Sequence, residues 1–353
     1  MGAAERVARF IVDPAGECFE DLALEAFARQ YETVPAYRAL CARRGVSPAT
    51  VEDWRQVPCV PTAAFKTLEL HTAPPRVTFR SSGTTAGEAR SVHRHPFPDL
   101  YRLTIDAAFP VHCLPPPLVP RAPMLSLVPP CALVPDSSLG FMTAHVLERW
   151  GGPESLVAMS SRGVEVARAR SWLGARQREG RAVLVLATAF ALADLLEALA
   201  RLGLRFRLAP ASVVFETGGF KGKRRELPRA DLLRSISETL GLPPERVVRE
   251  YGMTELTSQF YTRTLAGEDP DRFVAPHWAR ARILDPETLR ETPAGAGLLA
   301  VFDLANLGSA VHVLTEDLAE RDGGGFRLCG RAAGTALRGC SLTAEELAAG
   351  GGR

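Results

Sequence analysis

No apolar run in this 353-residue chain approaches the ~20 residues a membrane-spanning helix needs. The opening stretch, MGAAERVARFIVD, has arginines and a glutamate where a signal peptide would have its apolar segment. A cytoplasmic protein without an integral membrane segment is expected. Charge of one sign is missing too: 42 Lys and Arg face 40 Asp and Glu, a formal net of +2. That balance gives no general pull toward nucleic acid or anionic lipid, and no nucleic-acid partner is expected. The seven cysteines, at 18, 41, 59, 113, 131, 329 and 340, contain no Cys-x-x-Cys pair. An odd set without framework spacing points to reduced thiols and away from a disulfide scaffold or zinc ribbon.

Several catalytic signatures are absent as well. No Gly-Lys-Ser/Thr follows the hydroxyl-rich run FRSSGTTAGEARS (79–91), so it is not a Walker motif. PAGAGLLA (293–300) mimics the dinucleotide fingerprint, but it follows a turn and enters a strand, so it reads as a hairpin. No GxSxG elbow is present. His93 with His95, and His112 beside Cys113, lack a third ligand at metal-site spacing.

What is present is an ordinary globular mixture, 46% apolar and 23% charged, long enough for one large or two ordinary domains. Phe19, Leu22, Leu24, Phe27 and Tyr31 fall near helical spacing. Strands are expected at 77–79, 124–128 and 182–188, and helices over 99–108 and 138–150. ADLLEALARLGL should be a helix stopped at Gly203, and PRADLLRSISETLG one that ends at Gly241. Strands alternating with helices, with glycine loops after the strands, indicate an α/β fold. Beyond residue 280, RILDPETLRETPAGAGLLAVFDL and AVHVLTEDLAE read as hairpin strands, so a smaller mixed or antiparallel sheet is expected in the last third.

Three stretches carry candidate chemistry. The 79–91 loop, placed between an expected strand and an expected helix, is a context in which backbone N–H groups converge on an anion. In YGMTE (251–255) the glycine lets the backbone approach a ligand, Thr254 offers a hydroxyl and Glu255 a hard oxygen suited to Mg²⁺. In HVLTEDLA (312–319) Glu316 and Asp317 follow an apolar strand, where a carboxylate can take two ribose hydroxyls. Each has an ordinary alternative: a plain loop, a chance pentapeptide, a charged strand end. GGFKGKRRE (218–226) packs four cations into five positions, but with no interleaved aromatics it reads as a solvated face.

In this order, SSGTT, TGGF, YGMTE, LTED and GR (Gly330, Arg331) resemble the core motifs of the adenylate-forming superfamily: acyl-CoA synthetases, peptide-synthetase adenylation domains and luciferases. VPAYRALCARRGVSPATVEDWRQVPCVPTAAFK (34–66) and LCGRAAGTALRGCSL (328–342) are similar, more narrowly, to the acyl-protein synthetase (LuxE-type) family of bacterial bioluminescence operons. The likeness runs from Phe19 to Leu342. It implies an adenylate-forming N-terminal-type core, mixed sheets flanked by helices, over 1–320. A short C-terminal segment, 321–353, would follow a hinge-like loop. Ser81, Ser82, Gly83, Thr84 and Thr85 would cradle the β- and γ-phosphates of ATP. Gly218, Gly219, Phe220, Tyr251 and Gly252 would frame the nucleotide, Thr254 would touch its α-phosphate, and Glu255 would hold Mg²⁺. Asp317 and Arg331 would grip the ribose.

The sequence departs from that pattern in two places. Ala86 precedes Gly87 where the superfamily loop has glycine directly after the threonines, and the nearest cation is Arg90. Most members also continue well past the Gly-Arg pair, whereas this sequence stops at Arg353. The expectation taken from this is a short acyl-protein synthetase lacking the usual C-terminal domain, whose acyl group, from a long-chain fatty acid, passes to a cysteine near the C-terminus. Cys340 matches that position, and Arg338 beside it favours the reactive thiolate. An acyl reductase or carrier protein would receive the acyl group. Two alternatives stay open: a phenylacetate–CoA-ligase-like enzyme acylating CoA or a carrier phosphopantetheine, and a non-catalytic nucleotide-binding scaffold.

Overall fold

The structure, a computed structural model, describes residues 2–82, 89–218, 227–292, 294–332 and 347. The chain opens with three helices, α1 (Ala3–Val12), α2 (Phe19–Thr33) and α3 (Pro35–Arg43). Phe19, Leu22 and Phe27 are buried along α2 as their spacing requires. Pro35 opens α3 at its first position, where its missing N–H costs nothing. A short strand, β1 (Val60–Pro61), and a 3₁₀ turn (Thr62–Lys66) lead to a hairpin of β2 (Val77–Arg80) and β3 (Val92–His95).

The middle of the chain alternates strands and helices. In order they are α4 (Pro98–Cys113), β4 (Met124–Ser126), α5 (Ser138–Trp150), β5 (Leu156–Val157), the small pair β6 (Met159–Ser160) and β7 (Gly163–Val164), α6 (Val166–Glu179), β8 (Leu184–Thr188), α7 (Ala189–Arg201), β9 (Val213–Thr217) and α8 (Arg229–Leu240). Capping explains several ends. Ser137 Oγ accepts from Gly140 N at 3.0 Å to start α5, and Thr188 Oγ1 accepts from Ala191 N at 3.2 Å to start α7. Gly241, at φ +72°, closes α8 in the left-handed region. The remainder is strand: β10 (Val247–Tyr251), β11 (Phe260–Thr262), β12 (Phe273–Val274), β13 (Ala279–Leu284), β14 (Gly297–Asp303), β15 (His312–Asp322) and β16 (Gly325–Arg331).

One twelve-stranded sheet holds these together in the order β13-β14-β15-β16-β12-β11-β10-β9-β8-β4-β5, with β1 alongside β15. From β5 to β10 all neighbours are parallel; from β10 to β13 all are antiparallel. The antiparallel strands of the last third therefore continue the parallel sheet. Strand alternation splits the core between its faces. Leu184, Leu186, Val213, Phe215 and Val248 pack against α4 and α5, while Val183, Val185, Val214 and Val247 pack against α6, α7 and α8. Each such fully buried side chain is worth roughly 1.5–3 kcal/mol. Among the described residues no helix is long and apolar enough to cross a membrane.

Candidate active site

In open α/β sheets ligands bind outside the carboxyl ends of the strands, and this sheet has its cleft there. A cavity of about 570 Å³ lies over the ends of β9 and β10, where parallel pairing gives way to antiparallel. Its walls include Thr217 and Gly218 after β9, Glu250 and the 252–256 loop after β10, and Ser81 and Ser82 from the β2–β3 connection. Glu316 on β15 and Arg331 on β16 close one side.

The serine-rich loop sits differently from its expected context. It joins two antiparallel strands, β2 and β3, instead of leading from a strand into a helix. β3 escaped sequence reading because VHRH looks polar, yet His93 and His95 are buried. The base of the loop is pinned by Ser81 N donating to Ser91 O at 3.1 Å and Ser91 N donating to Ser81 Oγ at 3.0 Å. Arg90 donates to Ser81 O and pairs with Asp136 at 3.3 Å, so it braces the loop. Gly83, Thr84 and Thr85 lie outside the described residues, as do Gly219, Phe220 and Cys340.

Tyr251, Asp317 and Arg331, far apart in sequence, meet. Tyr251 Oη donates to Asp317 Oδ2 at 3.0 Å, and Arg331 Nε lies 3.4 Å from Asp317 Oδ1. Asp317 and Arg331 are directly paired across β15 and β16, and Arg331 also reaches Glu316 at 3.2 Å.

The 254–258 loop is held from beneath by a continuous polar network. His93 Nδ1 donates to Thr254 O at 2.7 Å. His95 takes the other tautomer: Nδ1 accepts from Phe97 N at 3.2 Å, leaving Nε2 to donate to Thr257 Oγ1 at 2.9 Å. Thr257 Oγ1 then donates to Asn306 Oδ1 at 2.8 Å, and Asn306 Nδ2 donates to Glu255 O at 2.9 Å. Asp303 accepts from Thr257 N and Ser258 N at 3.0 and 2.8 Å. Burial lowers the His93 pKa to about 4, so the imidazole is neutral near pH 7 and acts as a fixed hydrogen-bond post.

Glu255 is buried and lines the cleft. Among the described residues no group of three or more His, Cys, Asp or Glu side chains forms a metal cluster. The Glu255 carboxylate is a hard oxygen donor, the kind Mg²⁺ takes one or two of beside waters and phosphates.

Four residues of the site were not singled out from sequence. Lys66, at the end of the 3₁₀ turn, lines the cleft and is exposed to it. A signal existed, since the chain has only three lysines and the other two lie in the 221–225 run. His93 was noticed only as a failed metal ligand. Glu250 and Gln259 line the inner end of the cleft, and both are buried. A glutamate on the same face of a strand as buried Val248 is the trace Glu250 leaves in VVREY.

The fold is that of the adenylate-forming enzyme core. An open-conformation 2-hydroxyisobutyryl-CoA ligase, solved with 2-HIB-AMP and CoA, superimposes with a TM-score of 0.64 at 15% identity, over 88% of this chain and 69% of that one. Within that class, residues 173–348 match the acyl-protein synthetase, LuxE, family model, and the chain belongs to this family. Two curated relatives are similar over shorter stretches. The long-chain-fatty-acid–luciferin-component ligase of Aliivibrio fischeri is 30% identical over 104 residues, 29% of this chain and 26% of that protein. The Vibrio harveyi ligase of the same name is 26% identical over 139 residues, 36% of this chain and 35% of that protein.

Proposed function

We propose that the chain uses ATP to activate a carboxylic acid as an acyl-adenylate and then passes the acyl group to a thiol. The observation that carries this is convergence: Ser81 and Ser82, Gly218, Thr254 and Glu255, and Arg331 come from four separate segments and line one cleft, and Arg331 links it to Asp317 and Tyr251. In this reading the 81–85 loop takes the β- and γ-phosphates, with Lys66, which lines the same cleft, as a cation for them. Gly218, Gly219, Phe220, Tyr251 and Gly252 frame the nucleotide. Asp317 and Arg331 hold the ribose. Thr254 meets the α-phosphate, and Glu255 holds Mg²⁺, which would neutralise charge on the phosphate oxygens.

A carboxylate oxygen attacks the α-phosphorus and pyrophosphate leaves, so positioning and electrostatic stabilisation do most of the catalysis and no protein nucleophile is needed. A thiolate then attacks the acyl carbon and AMP leaves. The thiol is proposed to be Cys340, the acid a long-chain fatty acid, and the onward recipient a reductase or carrier protein. The family and the names of the two ligases support this reading.

The test is intact mass after incubation with ATP, Mg²⁺ and a panel of fatty, hydroxy and aryl acids, followed by hydroxylamine. A hydroxylamine-labile acyl adduct is expected on the wild type and not on Cys340→Ser, with pyrophosphate release retained by the variant. Acid-dependent pyrophosphate release without an adduct would move the acceptor to CoA or a carrier thiol. No acid-dependent release with any acid would overturn the activity itself.

A further inference from the structure

The two residues at the end of β10 face opposite ways, as strand neighbours must. Tyr251 turns toward Asp317 and the side assigned to the nucleotide. Glu250 turns to the other face, beside Thr217 of β9 and opposite Tyr261 of β11. That face looks toward α4 and α5, and there the cleft is walled by Tyr101, Leu139 and Met142. The acyl group, being the part of the adenylate that is not nucleotide, falls on this side.

An apolar lining would suffice for a plain hydrocarbon chain. This wall is apolar on one flank only; Thr217, Glu250 and Gln259 form the other. Gln259 is 3% exposed, and its Nε2 donates to Thr257 O at 3.0 Å. That bond fixes the amide orientation, since a carbonyl oxygen cannot accept from another carbonyl. Gln259 Oε1 is then left as a buried acceptor with no partner. Glu250, 7% exposed, accepts one hydrogen bond from Thr217 Oγ1. Its other oxygen lies over Gly252, where a Cβ would contact it. Buried polar groups are normally satisfied, and an orphaned acceptor on a residue that lines a ligand cleft marks where a donor is missing.

Resting on the acyl-activating reading above, we propose that the acid carries a hydrogen-bond donor, a hydroxyl or amino group, which Gln259 Oε1 accepts while the Glu250 carboxyl makes a second polar contact. Glu250 and Gln259 are then specificity-determining residues. An acid without the donor buries their oxygens unpaired, the condition under which sites reject an analogue most strongly.

The experiment is acid-dependent ATP–pyrophosphate exchange by the full chain on matched pairs. Tetradecanoate would be run against its 2-hydroxy, 3-hydroxy and 2-amino derivatives, and dodecanoate against 12-hydroxydodecanoate. At least one substituted acid should exceed its parent by on the order of 10²-fold in kcat/KM. Gln259→Met should bring that ratio close to one while the KM for ATP stays unchanged. A parent acid that matches or beats every substituted partner in the wild type would overturn the proposal, and this outcome needs no variant to fold. A ratio unmoved by Gln259→Met would overturn it too. Exchange with no acid at all would instead sink the acyl-activating reading beneath it.

Discussion

Replacing Glu250 with glutamine isolates what it costs this fold to bury a carboxyl. Burial raises the Glu250 pKa from 4.5 to about 7, partly opposed by the hydrogen bond from Thr217. Between those values the folded chain keeps a proton that the unfolded chain has lost, so stability falls as pH rises through the window and levels off above it. At about 1.36 kcal/mol per pH unit, the full fall is on the order of 3 kcal/mol. Glutamine keeps the shape but carries no titrating proton. The stability of Glu250→Gln relative to wild type should therefore climb by about that amount between pH 4.5 and 8, whatever constant offset the amide brings. Denaturant midpoints measured for both proteins across that range give the difference directly, and titrations shared by the two cancel in it. A flat difference would mean that Glu250 ionises as freely in the fold as outside it. That would refute the low-dielectric description of the inner cleft.

Tyr251→Phe removes the 3.0 Å bond to Asp317, which should cost about 1–1.5 kcal/mol of stability and raise the KM for ATP more than that for the acid. Unfolding curves and initial rates check this, and an effect on the acid alone would contradict the assignment of faces. His93→Leu removes the donor to Thr254 O, so acid-dependent exchange should fall about tenfold to a hundredfold; His93→Asn, whose amide can still donate, should recover part of it. Because the His93 pKa is lowered to about 4, the wild-type rate should show no step from this imidazole between pH 5 and 8.

The parts of the fold that local physics decides were legible. α5 spans 138–150 as expected because a serine cap starts it and Gly151 follows its end. The strand β8 appears where its apolar run placed it, since a parallel sheet covered on both faces asks for little else. α6 was not legible: its arginines are spread around it and only Ala169, Trp172 and Leu173 are buried. α4 runs on to Cys113 past Pro110, which reads as a stop but sits in the last turn, where few backbone bonds remain to lose. β3 was missed because what buries His93 and His95 is tertiary, namely the 254–257 loop they support.

The same division separates the site residues found from sequence from those that were not. Ser81, Tyr251, Thr254, Glu255, Asp317 and Arg331 stand in short motifs of glycines, hydroxyls and charged groups, which is what let the sequence suggest them as candidates. Glu250 and Gln259 each flank such a motif, and nothing local distinguishes them from a solvated strand end. Their meaning comes from parity. A strand that ends over a cleft shows consecutive side chains to opposite faces, so the residue beside Tyr251, proposed to face the nucleotide, must face the other side. Here that residue is a buried acid, and the first residue to reach the same pocket from the next strand is a buried amide with an idle oxygen. A cleft built only to hold hydrocarbon gains nothing from either, because each must be desolvated and neither is then fully bonded.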